Sequence, residues 1–227
     1  MNGLDDMIRK HSSRFVYALA VGLLAPGCAS SSSESAVGDS REPAPAAQTR
    51  DDDTEQLPPP GYGTLRQDQF TVPLEVGLVG VKVTPMAEEV IRLAAPDTYQ
   101  RLKSLRGSRS AQIQDIARRN GLRQEPLVVL VSFFTRQQQE EFFPTEVQIL
   151  SRGILYFPLG IVPLTPDWGQ QQLMQQVTQS ALYVFDPAID LEVVLTVEYR
   201  GVQSARWISV VSTLETERAR VFARAKS

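Results

Sequence analysis

An α+β fold, mainly β, is what this sequence predicts for residues 61–227: an antiparallel β-sandwich that carries a short helical insertion over 84–122 and ends in a helix. Three observations point there. About seven short apolar or alternating runs are separated by Pro and Gly turns; no regular strand–helix alternation of the kind that builds a parallel sheet is present; and the helical patterns cluster in one insertion and at the C-terminus.

The first run is Phe70 to Leu78, in which Phe70, Val72, Leu74, Val76 and Leu78 alternate as one strand face. The phase then flips to Val79, Val81 and Val83. With Gly77 and Gly80 beside it, the flip reads as a bulge or bend that carries the chain from one sheet toward another. Thr84-Pro85 fits a helix start, with Val90, Ile91, Leu93 and Ala94 as its apolar stripe before Pro96. Asp97 is the expected cap of a second helix, with Leu102 and Leu105 inward and Gly107 as terminator. A third is expected from about Ser110 to Asn120-Gly121 on Ile113, Ile116 and Ala117. Between Ala87 and Arg123 eight basic residues stand against four acidic ones, so the insertion holds most of the spare positive charge of the domain.

Leu127 to Phe134 is an unbroken apolar run of strand length, as a central strand requires. Gln137 to Glu141 reads as a polar loop. Glu146–Leu150 and Ile154–Phe157 flank Ser151-Arg152-Gly153 as a hairpin, and Pro158 to Gly169 is expected to be a long connection. A strand near Gln179 to Phe185 follows, then a turn at Asp186-Pro187. Leu191 to Tyr199 is expected as a strand with Val193, Leu195, Val197 and Tyr199 inward. After Arg200-Gly201 a last strand is expected on Trp207, Ile208, Val210 and Val211, and Ser212-Thr213-Leu214-Glu215 reads as the capping box of the final helix, with Leu214, Val221 and Phe222 on one side.

The N-terminal 60 residues have another character. Arg9, Lys10 and Arg14 precede the uncharged run Phe15 to Cys28, the order expected of an export signal. The run stops at Pro26-Gly27, short of the roughly 20 apolar residues a membrane span needs. Translation from Met1 and from Met7 both leave such a signal; the second drops Asp5 and Asp6. Residues 29–60 carry Ser30 to Ser33, Pro43, Pro45, Asp51-Asp52-Asp53 and Pro58-Pro59-Pro60, with little to bury, so 28–60 is expected to be a disordered tether. Its net charge is −5, against +1 for residues 61–227.

The segment Leu24-Ala25-Pro26-Gly27-Cys28 resembles the lipobox of bacterial lipoprotein signal peptides. The resemblance implies removal of residues 1–27, acylation of Cys28 and anchoring in the lipid bilayer of the cell envelope. With Ala29 rather than Asp after the cysteine, it implies the outer membrane of a Gram-negative bacterium. The stretch Leu127 to Tyr199, with Val184-Phe185-Asp186-Pro187 ahead of Leu191 to Tyr199, is similar in layout to the immunoglobulin-like, telokin-like domains of bacterial lipoproteins. That likeness implies an immunoglobulin-like β-sandwich and a binding role.

Two scarcities exclude much chemistry. The one histidine, His11, lies in the signal, and the one cysteine, Cys28, is the expected acylation site, so the mature protein has no imidazole base, no free thiolate and no internal disulfide. No cofactor is expected. Catalysis would rest on carboxylates, and Glu140, Glu141, Asp167, Asp186 and Asp190 lie in expected loops, which leaves a cell-wall glycan hydrolase as the alternative function. Asp186, Asp190 and Glu192 lack the spacing of a calcium loop, and Asp186-Pro187 reads as a turn former. Trp168 and Trp207 have the rings to stack a sugar, though both also suit a core.

Arg106, Arg109, Arg118 and Arg119, with Arg123, resemble in placement the arginines of a DNA-binding helix pair, but export excludes nucleic acid. With Arg101 and Lys103 they are expected to face outward, toward an envelope protein or an anionic envelope component. The alternative is that the insertion merely covers an edge strand. The expected function is therefore that of a noncatalytic envelope lipoprotein whose sandwich binds or scaffolds a partner.

Overall fold

A computed structural model describes residues 57–226, an α+β fold in which antiparallel sheets pack face to face and a long helix closes the chain. The strands are β1 (Val72–Val76), β2 (Val79–Pro85), β3 (Leu127–Thr135), β4 (Gln139–Glu141), β5 (Val147–Ser151), β6 (Ile154–Tyr156), β7 (Gly160–Pro163), β8 (Gln172–Met174), β9 (Thr178–Phe185), β10 (Leu195–Tyr199) and β11 (Val202–Ser204). The helices are α1 (Glu88–Ile91), α2 (Pro96–Ser108), α3 (Ser110–Arg119) and α4 (Trp207–Ala225). One sheet has the order β1-β2-β3-β9-β7, the other β11-β10-β5-β6, and β4 pairs with β8 as a small third ribbon.

The central position of β3 follows from its sequence. Leu127 to Val131 are all buried because the strand is covered on both faces: Phe133 points toward Tyr199 of the second sheet, with ring centroids 5.5 Å apart, while on the opposite face α3 crosses the neighbouring strands β7 and β9. Phe133 also meets Phe142 at 4.8 Å and Trp168 at 5.8 Å, so one aromatic cluster fills the space between the sheets. Tyr183 and Tyr199 anchor the loop that enters it. Tyr183 Oη donates to the Pro144 carbonyl at 2.8 Å, Tyr199 Oη accepts from the Phe143 amide at 3.0 Å, and burial pushes both phenols above their ordinary pKa.

Several elements depart from the sequence reading. The phase flip at Gly77 is a tight hairpin inside one sheet, not a crossing between sheets: Val76 pairs with Val79, and Gly77 takes φ 60° at the first of two loop positions, as a type II′ turn requires. Thr84-Pro85 ends β2 instead of starting a helix. Thr84 is buried with its hydroxyl 2.7 Å from that of Thr71, so it is unavailable as a cap, and α1 begins only at Glu88. Pro96 opens α2 rather than closing α1, and Gly107 lies inside α2. Gln139–Glu141 and Gly160–Pro163, both read as connections, are strands. The second is the outermost strand of its sheet, the place where Pro163 costs no ladder hydrogen bond. β10 starts only at Leu195, and half-buried Val193 precedes it.

The largest departure is α4. Trp207, Val210, Leu214, Glu217 and Val221 are its buried residues, spaced three and four apart, so the expected strand at 207–211 is the first turn and a half of a 19-residue helix. Ser212 therefore lies in mid-helix and caps nothing.

Glu217 is 1% exposed. Its carboxylate accepts from the Thr64 amide at 2.9 Å and hydroxyl at 2.8 Å and from Arg224 Nη1 at 3.0 Å, while Arg224 also donates to the Tyr62 carbonyl. Burial alone would raise its pKa, but the hydrogen bonds from Arg224 and Thr64 outweigh that and hold it below the ordinary carboxylate value. A depressed folded-state pKa contributes stability that is present above the unfolded value of about 4.3 and is lost as pH falls through the folded one. Glu217→Ala is expected to cost about 2–3 kcal/mol at neutral pH, because it strands the Thr64 amide and removes the carboxylate that Arg224 pairs with. The difference between mutant and wild type should shrink as acid titrates the carboxylate, which denaturant midpoints at pH 7 and pH 3 would check.

Candidate functional site

The helical insertion divides its work. α3 buries Ile113 and Ala117 and crosses β7 and β9. A Cβ added at Gly160 of β7 would lie 2.7 Å from Ile116, and Asn120 Nδ2 reaches the Leu159 carbonyl at 3.5 Å, so α3 does cover the edge strand. α2 stands off from that contact. Between α2, α3 and the loop 121–126 runs a groove of about 720 Å³. Its floor is Ile113, Ala117 and Pro126, and its walls bring up Lys103, Arg106, Arg118 and Arg123 against Glu88 and Glu125.

The four arginines singled out in the sequence do not form one outward face. Arg106 turns inward: its side chain is 16% exposed, donates to the Met86 carbonyl at 3.3 Å and pairs with Glu125. Arg109 forms the joint between α2 and α3, half-buried, with no hydrogen-bond partner for Nε among the described residues. Arg118 and Arg119 do point to solvent, and both hold Asp115, the first at 2.8 Å. The hydrogen bond from Arg118, reinforced by the charge of Arg119, keeps the Asp115 carboxyl below its ordinary pKa. Arg101 is exposed and donates to Gln67 Oε1 at 2.7 Å.

The sequence reading named both exposed cations of the groove, Lys103 and Arg123, but passed over the groove itself. Exposed Lys103 sits 5.3 Å from the Tyr99 ring centroid and 3.2 Å from its hydroxyl, and exposed Arg123 has no ion pair among the described residues. The available signal was Gly121 and Pro126 bracketing a charged loop directly after an amphipathic helix.

The candidate carboxylates are spread over the surface. Asp186 accepts from the Ala188 amide at 2.8 Å, as a turn former does. Glu140 and Glu141 lie on β4, and Asp167 is exposed in a single-turn 3₁₀ helix, Pro166–Gln170. Asp190 accepts from the Glu192 amide and pairs with Arg152, while Glu192 pairs with Arg218 at 3.0 Å. These two acids share a cavity of about 460 Å³ with Glu89. Neither tryptophan offers a face to a sugar: Trp168 is 7% exposed within the aromatic cluster, and Trp207 is fully buried.

Among the described residues, no group of three or more His, Cys, Asp or Glu is arranged to hold a metal ion, and no helix is long and apolar enough to cross a membrane. Cys28, the signal 1–27 and the tether as far as residue 56 lie outside the described residues. The last four residues of the expected tether do not: Pro58 is buried, and its carbonyl accepts from Arg92 Nη1 at 3.4 Å. No family model, curated protein or solved structure matches the chain.

Proposed function

We propose that this protein is a noncatalytic lipoprotein of the cell envelope, anchored through Cys28, whose sandwich holds the α2–α3 groove out to an acidic segment of an envelope protein. The observation that carries the reading is the groove, with its apolar floor and its formal lining charge of +2. Being concave, it suits an extended peptide better than a flat bilayer, and carboxylates on that peptide would meet Lys103, Arg118 and Arg123 at the rim. The lipobox resemblance supports the anchor.

Each half has its own test. Cys28→Ala should move the protein from the detergent-rich to the aqueous phase on temperature-induced partitioning of membranes, since two or more acyl chains give a stable anchor and none gives nothing. Partitioning that ignores the change sinks the anchor. Arg118→Glu combined with Arg123→Glu should weaken a fluorescein-labelled acidic peptide at least tenfold in anisotropy titrations at low salt while leaving Tm in place. Equal affinity would remove the groove from the function.

The grouping of Glu89, Asp190 and Glu192 around one cavity favours a second reading, a carboxylate-based glycan hydrolase. On that reading Glu89→Gln abolishes turnover of purified peptidoglycan by a thousandfold or so, about 4 kcal/mol of barrier. On the first reading there is no turnover to abolish.

A further inference from the structure

The two large sheets have four edge strands, and the fold itself protects three of them. β7 is covered by α3, whose Ile116 leaves no room for a Cβ at Gly160. β1 and β11, edges of different sheets, lie alongside each other, and β1 also carries Pro73. β6 has no such cover. Among the described residues no strand pairs with its outer side, and Ile154, Leu155 and the following Phe157 are exposed, the first and last by more than half. Edge strands are ordinarily guarded by charge or proline, yet Ile154-Leu155-Tyr156-Phe157 contains neither.

The hairpin that makes β6 also determines which of its backbone groups are idle. Ser151 and Ile154 flank a two-residue loop, Arg152 at φ 51° and Gly153 at φ 78°, as in a type I′ turn, where the flanking residues exchange both ladder hydrogen bonds. The pairs then alternate: Ile149 with Tyr156 is hydrogen-bonded again, and Leu150 with Leu155 is not. The Leu155 N–H and C=O therefore point away from β5 along the open edge. What matches them in spacing and alternation is another strand.

Composition selects which strand. Turned about a two-fold axis at Leu155, β6 pairs antiparallel with itself: Leu155 opposes its own copy and exchanges two hydrogen bonds with it, and Ile154 opposes Tyr156. No like charges meet in that register, because the strand has none, and every facing pair is apolar or aromatic. Leu150 and Leu155 share the face opposite buried Ile149, so the pairing continues one leucine row across the axis. A charged peptide gains nothing at such an edge, which separates it from the α2–α3 groove.

We propose that β6 is a homodimerisation edge, at which two copies of the chain join antiparallel about Leu155 and fuse their four-stranded sheets into one. The proposal is independent of the groove and of the anchor at Cys28. The symmetric contact uses the same edge on both copies, so it closes as a dimer instead of propagating. Few residues take part, so the dimer is weak and concentration-dependent.

Thiol cross-linking tests the register, using the mature chain with Cys28→Ser so that an introduced cysteine stands alone. Leu155→Cys should form a disulfide-linked dimer on mild oxidation, since opposed residues of a hydrogen-bonded pair have Cα atoms about 5.5 Å apart. Ile154→Cys should not, because its own copy lies two positions along the facing strand, about 8 Å away. In the unaltered mature chain, hydrogen exchange at the Leu155 amide should slow as protein concentration rises. Leu155→Glu sets two carboxylates against each other at the axis and should raise the dimer Kd at least tenfold in sedimentation velocity, with Tm in place. The dimer is overturned by equal cross-linking at both positions, by sedimentation that ignores Leu155→Glu, or by a Leu155 amide that exchanges freely at every concentration. Protection of Leu155 that appears only on adding a foreign apolar peptide would assign the edge to another occupant and likewise overturn it.

Discussion

Trp207→Ala is expected to lower the unfolding free energy by about 4 kcal/mol, the upper range for a buried aromatic. The indole is 0% exposed at the first turn of α4, and its Nε1 donates to the Leu191 carbonyl at 3.0 Å. Truncation therefore removes three things together: the packing of the ring, the attachment of α4 at its start, and the hydrogen bond that pins the loop between β9 and β10. Trp207→Phe separates them. It retains most of the packing and strands one buried carbonyl, for an expected loss of about 1–2 kcal/mol. Urea titrations should show the midpoint falling with an unchanged slope in both variants. A loss under 1 kcal/mol for the alanine form would mean that α4 is not held at this end.

Gly63→Ala is expected to cost about 3 kcal/mol even though it adds only one methyl group. A Cβ at this position would lie 2.2 Å from both the carbonyl carbon and the oxygen of Leu93, which are backbone atoms and cannot rotate away. The neighbouring contacts prevent a simple retreat. The Leu65 amide donates to the Leu93 carbonyl at 3.1 Å, the Ala95 amide donates to the Leu65 carbonyl at 2.9 Å, and Thr64 is committed to Glu217. Relief requires residues 62–65 to leave the domain, which exposes Leu65 and takes both Thr64 donors away from Glu217. Hydrogen exchange should locate the damage, with protection lost at Leu65 and Ala95 and retained across β3 and β9. Wild-type stability in Gly63→Ala would show that the segment is dispensable.

The sheets were legible in the sequence wherever burial follows one simple rule. β3 announces itself as an apolar run because both of its faces are covered, and the β5–β6 hairpin shows through Arg152-Gly153, both of which take positive φ. What failed did so for physical reasons. The inward stripe of α4 contains Glu217, so the apolar period breaks at the position where a carboxylate is buried against Thr64 and Arg224, while exposed Ile208 and half-buried Val211 imitate a strand beside Trp207. β7 was hidden by prolines that its edge position tolerates.

The candidate site was legible only as a surplus of positive charge. That Arg106 turns inward depends on Glu125, nineteen residues later, and on the Met86 carbonyl, twenty residues earlier; local pattern carries neither. The floor of the groove is likewise a property of packing. Ile113 and Ala117 look the same in sequence whether a helix covers them fully or leaves a channel beside them.

The clasp between Thr64 and Glu217 joins residues 153 positions apart. A chain emerging N-terminus first exposes Tyr62 and Thr64 long before their counterparts exist, and until residue 224 is out Arg224 cannot bridge Glu217 to the Tyr62 carbonyl. The opening segment must wait through the synthesis of nearly the whole domain, and contacts of such long sequence separation form slowly even once the chain is complete. A nascent chain stalled anywhere before α4 should hold residues 62–64 open to proteolysis, which makes this clasp a marker of completion: its closure reports that the last helix has arrived.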